Sequence, residues 1–291
     1  MNDTNCETEE REIVGSRIKV RKIKFNNKII ELIRFGDVAE IKKGMDSYTP
    51  KVFKLNNETR GSFSVVKKEL IISEREIELF SEEEKINGVD PGKYEGRHII
   101  PLNKGGKSDV SNGWLPNYYV PTQYFLDWRK EIVINKHYHR NKTFYFQKGL
   151  TFSFRGEYSP TFRIKTTGPF DANGSGIFPK LDNIALIGNL NSKFFKYLFK
   201  NYRQHTVASD VDQLKEVPLL FYKNQKIEDL TSKIIDKQKQ NPRYDYMGNE
   251  QKEIDKLVYE MYGLNKDDIR EVETWYARRY PKLARFCDVD Q

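Results

Sequence analysis

Cysteine is nearly absent. The 291-residue chain has two, Cys6 and Cys287, near its opposite ends, which excludes a disulfide framework and a cysteine metal knuckle and makes a reducing cytoplasm the expected setting. Long apolar runs are absent too: stretches such as Ile184-Ala-Leu-Ile187 fall far below the roughly 20 residues a transmembrane helix needs. A secretory leader is not expected, because residues 1–12 carry five acids and one Arg where an n-region is basic, and no apolar segment follows. Those residues read instead as a disordered, acidic leader.

Several catalytic motifs are missing or incomplete. Gly105-Gly106-Lys107-Ser108 ends like a phosphate loop, but Pro101 stands where that motif needs its first Gly. Gly174-Ser-Gly176 runs into Ile177-Phe178-Pro179 rather than a helix, so it is no dinucleotide fingerprint. None of the eleven prolines is followed by another, so the Asn/Asp-Pro-Pro-aromatic loop with which nucleic-acid amine methyltransferases grip a flipped base is absent. His137 and His139 share one side of an expected strand but have no nearby Cys, Asp or Glu to complete a metal site. Glu40-Ile-Lys42 and Glu83-Glu-Lys85 fit the carboxylate-x-lysine half of a Mg²⁺ nuclease site, a triplet that chance also supplies in a chain 32% charged.

What the chain does have is charge, unevenly spread around a net +8. Residues 13–35 hold seven Lys/Arg against Glu31, residues 101–168 hold eleven against four acids, and residues 69–95 hold nine acids against three bases. This distribution predicts a basic face that attracts phosphate backbones and an acidic one turned away from them; a solvated Lys-rich surface is the alternative.

Hydrophobic periodicity predicts an α+β fold. A hairpin is expected from Ile18 to Phe35 around Asn26-Asn27, with a further strand over Ser62–Val66. Residues 73–86 read as helix, and 98–102, 131–136, 143–147, 150–155, 161–166 and 183–188 as strands. Leu190, Phe194, Phe195, Leu198, Phe199 and Tyr202 recur at helical spacing, with Lys193, Lys196, Lys200 and Arg203 on another, outward face. Beyond Pro218 come three helical stripes: one broken at Asn241-Pro242, one capped by Gly263, and one opened by Asn265 with Asp268 in a capping box and closed by Pro281. The expected organisation is an acidic leader and basic hairpin over 1–35, a β-rich body over 36–222, and an appended helical hairpin, a spacer or docking region, over 223–291.

Four stretches in order resemble a family. Phe35-Gly-Asp-Val-Ala-Glu-Ile-Lys-Lys-Gly44 is similar to the opening of target-recognition domains in type I specificity subunits and fused restriction–modification enzymes. Gly149–Ser153 through Phe178-Pro179 and Leu190-Asn-Ser-Lys193, then Asp210–Pro218, then Ile254-Asp-Lys-Leu-Val-Tyr-Glu-Met-Tyr-Gly-Leu264, resemble the body, exit and tail of the TaqI-like specificity domain of type IIG and BREX-type adenine methyltransferases. The resemblance spans roughly residues 35–278. It departs after Gly44, where Met45-Asp-Ser-Tyr-Thr-Pro50 replaces a Thr-Gly-Asx segment, so no target sequence carries over.

The resemblance implies a twisted DNA target-recognition domain, without catalysis of its own, beside a separate N6-adenine methyltransferase or restriction module that holds S-adenosylmethionine. No cofactor or metal is expected in this chain. In this reading Lys42, Lys43, Lys104, Lys107, Arg140 and Lys142 hold phosphates, and Arg155, Glu157, Arg163 and Lys136, with Lys51 as a further candidate, read base edges. The C-terminal helices either pack on their own body or dock the partner or a second copy, the latter giving a homodimer. Two other classes stay open: a Mg²⁺-dependent endonuclease subunit using Glu40 with Lys42 or the acids at 82–85, and a protein-interaction module.

Overall fold

Two asparagines start the architecture. In the computed structural model, which describes residues 6–13, 15–46, 52–55, 63–134, 140–180, 183–220 and 224–288, Asn26 and Asn27 take left-handed φ values of 46° and 63°. Two-residue hairpin turns need that conformation, and Asn tolerates it. The turn joins strand β2 (Ser16–Phe25) to β3 (Lys28–Arg34), paired from Arg21↔Leu32 to Phe25↔Lys28. The leader differs from expectation. Cys6–Ile13 is strand β1, antiparallel to β2, and its charges are matched against the basic hairpin: Glu9 meets Lys22 at 2.7 Å and Arg11 meets Glu31 at 2.6 Å.

The protein is α+β, and its described residues form three four-stranded sheets. β12 (Pro218–Leu220) adds to β3, giving the order β1-β2-β3-β12. β4 (Ala39–Lys42), β9 (Leu150–Ser153), β10 (Phe162–Ile164) and β11 (Gly174–Pro179) form a second sheet, β10-β9-β11-β4. β5 (Val52–Lys54), β6 (Ser64–Val65), β7 (Ile99–Leu102) and β8 (Tyr124–Asp127) form the third, β6-β5-β8-β7. The second sheet separates two cores: on β11, Ile177 packs into the larger and Phe178 into the smaller, as period-two alternation requires.

Short helices fill the connections. α1 (Phe35–Val38) precedes β4. The helix expected over 73–86 is two, α2 (Glu74–Glu78) and α3 (Glu82–Asn87), each opened by a Ser/Glu capping box, Ser73 with Glu76 and Ser81 with Glu84. Three expected strands are not strands. Lys130–Val133 is a helical turn, α4. Lys142–Phe144 is a 3₁₀ turn, and the carbonyls of Tyr145 and Gln147, which a strand would spend on a ladder, accept instead from the Lys165 ammonium. Asn183–Leu190 is helix α5: a four-residue apolar run does not separate strand from buried helix, and Gly188 seats α5 on a later helix so closely that a Cβ would stand 2.6 Å from Ile227 and Thr231.

Ser192 caps α6 (Lys193–Tyr202), accepting from Phe195 N at 3.1 Å. The basic stripe expected to face outward on this helix is mostly inside. Lys193, Lys196 and Lys200 are 4%, 3% and 1% exposed, because α6 is covered on one side by β10 through Phe162 and Phe195 and on another by the C-terminal helices; only Arg203 of the stripe is exposed. Lys193 donates to Glu273 at 2.7 Å and to Phe286 O at 2.8 Å. α7 (Val211–Lys215) follows, capped by Asp210.

The C-terminal stripes become α8 (Gln225–Gln240), α9 (Glu250–Tyr262) and α10 (Lys266–Arg279), with Gly263 at φ 70° and the Asn265/Asp268 box as expected. Their apolar faces are spent on the chain's own body: Ile234, Val258 and Tyr276 belong to the same core as Val20, Ile33 and Phe152. The hairpin turn in return closes the α9–α10 junction, Asn26 Nδ2 donating to Gly263 O at 3.1 Å and Lys28 Nζ to Glu260 O at 2.8 Å. Described elements on both sides of the expected boundaries after residues 35 and 222 therefore share one core, and residues 221–223 themselves lie outside the described residues.

Burial pushes Lys165, Lys196 and Lys200 down to about 7, while the unfolded chain keeps them near the ordinary lysine value. Above pH 7 the unfolded state then binds more protons, so stability rises with pH, each group adding at most about 1.4 kcal/mol per unit. Cys287, raised by burial to about 12, and the buried tyrosines oppose this only at higher pH. The urea midpoint is expected to increase between pH 7 and 8.5, with a smaller increase in Lys200→Met.

Candidate nucleic-acid interface

One rim of the second sheet gathers the loops. β11 runs antiparallel to both neighbours, with Gly176 opposite Lys42 and Gly174 opposite Ser153, so the chain leaves β4 and β9 at the same edge where it enters β11. Beyond that edge the backbone stays laddered. Met45 N donates to Phe170 O and Ala172 N to Met45 O, both at 2.9 Å; Asn103 N donates to Pro169 O at 2.9 Å and Phe154 N to Asn173 O at 3.0 Å. Glycine permits these approaches: a Cβ on Gly44 would lie 2.1 Å from Phe170 O, and one on Gly105 2.9 Å from Asn173 O. A further segment joins from after α6, Gly156 N donating to Val207 O at 3.1 Å and Ser209 N to Phe154 O at 2.7 Å.

Phe154 is the hub of the side chains. Lys43 Nζ lies 5.2 Å and the Arg155 guanidinium 5.7 Å from its ring centroid, within cation–π range. Asn141 Nδ2 donates to Lys43 O at 2.8 Å, which brings Arg140 alongside. Gly106 N donates to Ser153 Oγ at 3.1 Å, which ties the Lys107 loop to the same rim. Lys43, Lys107, Arg140, Arg155 and Glu157 are exposed. Four expected cations and one acceptor thus converge on one edge, clear of the core.

Other expected site residues are used internally. Arg163 is 5% exposed; its guanidinium donates to Lys104 O at 2.5 Å and Ser153 Oγ at 3.3 Å, and burial lowers it to about 10. It braces the rim from beneath, its guanidinium spent on the fold's own oxygens. The reason is its register on β10, opposite Thr151, which turns it toward the 104–106 loop. Lys104 forms an ion pair with the fully buried Asp171 carboxylate, so its charge is compensated within the fold. Lys42 is half-buried, 2.6 Å from Glu40 and 5.1 Å from the Phe144 centroid. Lys142 is half-buried and donates to Ile86 O at 3.3 Å. Through this contact the acid-rich α3 borders the basic rim, where the charge distribution predicted a separate face. Lys51, Lys136, His137 and His139 lie outside the described residues.

The acid triplets also have partners. Glu83 meets Lys130 at 2.8 Å, and Glu84 caps α3 and accepts from Lys93 Nζ and Tyr94 Oη at 2.8 Å each. Among the described residues no group of three His, Cys, Asp or Glu is placed to hold a metal ion.

Asp171 is the site residue that sequence reasoning missed. Its Oδ1 accepts from Asn173 N at 2.9 Å and Gly174 N at 2.8 Å while Oδ2 takes Lys104. The signal was there: Asp171-Ala-Asn-Gly174 is an Asx-turn sequence. The 204–209 segment was missed as well, having no composition that marks it.

Gly44→Ala is expected to destabilise the protein by about 2 kcal/mol or more, since the methyl meets backbone rather than a movable side chain; a urea midpoint within error of wild type would show that the 43–46 segment is not held as described. No protein-family model and no curated protein matches this chain.

Proposed function

We propose that this chain recognises a sequence in double-stranded DNA and serves as the specificity component of a restriction–modification or phage-defence N6-adenine methyltransferase, with S-adenosylmethionine and the methyl transfer in a partner subunit. The observation that carries this reading is the gathering of Lys43, Lys107, Arg140, Arg155 and Glu157, all exposed, on loops whose backbones are laddered to a sheet rim. Lys43, Lys107 and Arg140 are suited to phosphates, which position the protein without reading sequence. Arg155 has the planar fork that bonds guanine O6 and N7, and Glu157 can accept from a cytosine amine. A rigid base matters because a base contact discriminates only if its donor is already placed. The family resemblance of the Phe35–Gly44, Leu190–Lys193 and Ile254–Leu264 stretches points the same way.

The test is selection from a randomised duplex library, followed by salt titration of the enriched and an unrelated duplex. Wild type is expected to enrich one sequence. Arg155→Ala is expected to lose about 1–3 kcal/mol of preference for it while low-salt affinity for the unrelated duplex survives. Lys43→Ala and Arg140→Ala are expected to weaken both duplexes alike and to reduce the log–log salt slope by about 1 each. Equal weakening of both duplexes in Arg155→Ala would remove its base-reading role. Supercoiled plasmid incubated with the protein and Mg²⁺ is expected to stay intact; nicking or cutting would replace this reading with the endonuclease one.

A further inference from the structure

The underside of this rim rests on two lysines of α6. Lys196 and Lys200, one helical turn apart, are 3% and 1% exposed, and neither is in a salt bridge among the described residues. A buried lysine amino group without a carboxylate must find neutral oxygens; Lys196 finds one in the loop that carries Arg155 and Glu157, and Lys200 finds them in the 204–209 segment bonded to that loop. Lys196 Nζ donates to Tyr158 O at 2.9 Å and lies 5.4 Å from the Tyr280 centroid. Lys200 Nζ donates to Thr206 O and Ala208 O at 2.8 Å each, and to Ser209 Oγ at 3.4 Å. The two loops also hold one another, through Gly156 N to Val207 O, Ser209 N to Phe154 O, and the Ser159 and Ser209 hydroxyls 2.9 Å apart. Arg155 and Glu157 stand exposed on the outer side of this arrangement.

Packing alone does not call for an ammonium here, because Met or Leu fills comparable space without the desolvation cost of a charge. What the two amino groups add, charged or neutral, is direction: Lys196 fixes one main-chain oxygen and Lys200 two, tying otherwise irregular loops to one helix. We propose that Lys196 and Lys200 are positioning residues that clamp the 154–159 and 204–209 segments to α6, and so set the placement of Arg155 and Glu157 for base discrimination without touching DNA themselves. The clamp stands on geometry; its effect on discrimination rests on the DNA reading above. Lys165 provides an internal comparison. It is equally buried and donates to the carbonyls of Tyr145, Gln147, Thr166 and Gly168, but these turns lie at the other end of the β9–β10 pair.

The experiment compares Lys196→Met, Lys200→Met and Lys165→Met in the full chain by hydrogen exchange and by randomised-duplex selection. Exchange across 154–159 and 204–209 is expected to be about tenfold faster in the first two, the loss of one or two charged hydrogen bonds, and unchanged in Lys165→Met. Enrichment of the wild-type sequence is expected to fall in the first two, with low-salt affinity for an unrelated duplex retained, a split that general destabilisation would not produce. Wild-type exchange in both segments of both variants overturns the clamp. Faster exchange with undiminished enrichment overturns the effect on discrimination. If wild type enriches no sequence, the DNA reading falls, and the exchange rates still decide the clamp. Should neither α6 variant fold, Ser209→Ala, which removes an acceptor of Lys200 and the link to Ser159, is measured in the same way: faster exchange supports the clamp and unchanged exchange overturns it.

Discussion

Strand β11 is the constraint on which the rest depends. It is paired on both edges, to β9 and to β4, and both its faces are covered, one by each core. Because both neighbours run against it, the segments leaving them emerge where β11 begins, and the Asp171 carboxylate fixes that beginning by accepting two backbone amides and an ammonium. A fully desolvated carboxylate is unfavourable unless its lone pairs are filled. Here they are filled by the loops that must be held, so the polar cost of burial and the ordering of the rim are met by the same contacts.

The elements legible in the sequence are the ones whose signals are local. Asn26-Asn27 between two apolar runs, Gly263 after a helical stripe and Asn265 three residues before Asp268 each state their own backbone conformation, and each takes it. The misread stretches are short runs of β-branched or aromatic residues, 131–136, 143–147 and 183–188, where four or five side chains fit either period. Tertiary partners decide them: Thr231 and Ile227 against Gly188 in one case, the Lys165 ammonium in another.

The candidate site divides along the same line. Arg155 and Glu157 follow a strand into a Gly-bearing loop, and that context is enough to expose them. Arg163 and Lys104 also carry positive charge, but their destinations are set by the Lys104 carbonyl and the Asp171 carboxylate, each far along the chain from the residue it holds. Lysine spacing on α6 reads as a solvated stripe until the helices that cover it are known. A basic residue count therefore overstates the surface available to a polyanion: several of the cations behind the net +8 are structural, each satisfied by oxygens of its own fold.

The closure of the first hairpin by late parts of the chain has a consequence for assembly. β3 finds its outer partner only in Pro218–Leu220, and the Asn26–Lys28 turn finds its acceptors only around Gly263. During synthesis the N-terminal strands must therefore wait, half-paired, while some two hundred further residues are added, and such delayed pairing slows folding and leaves an edge open to wrong partners. The acid-rich β1 along the opposite edge, charged and self-complementary to β2, is the kind of strand that discourages strangers during that interval.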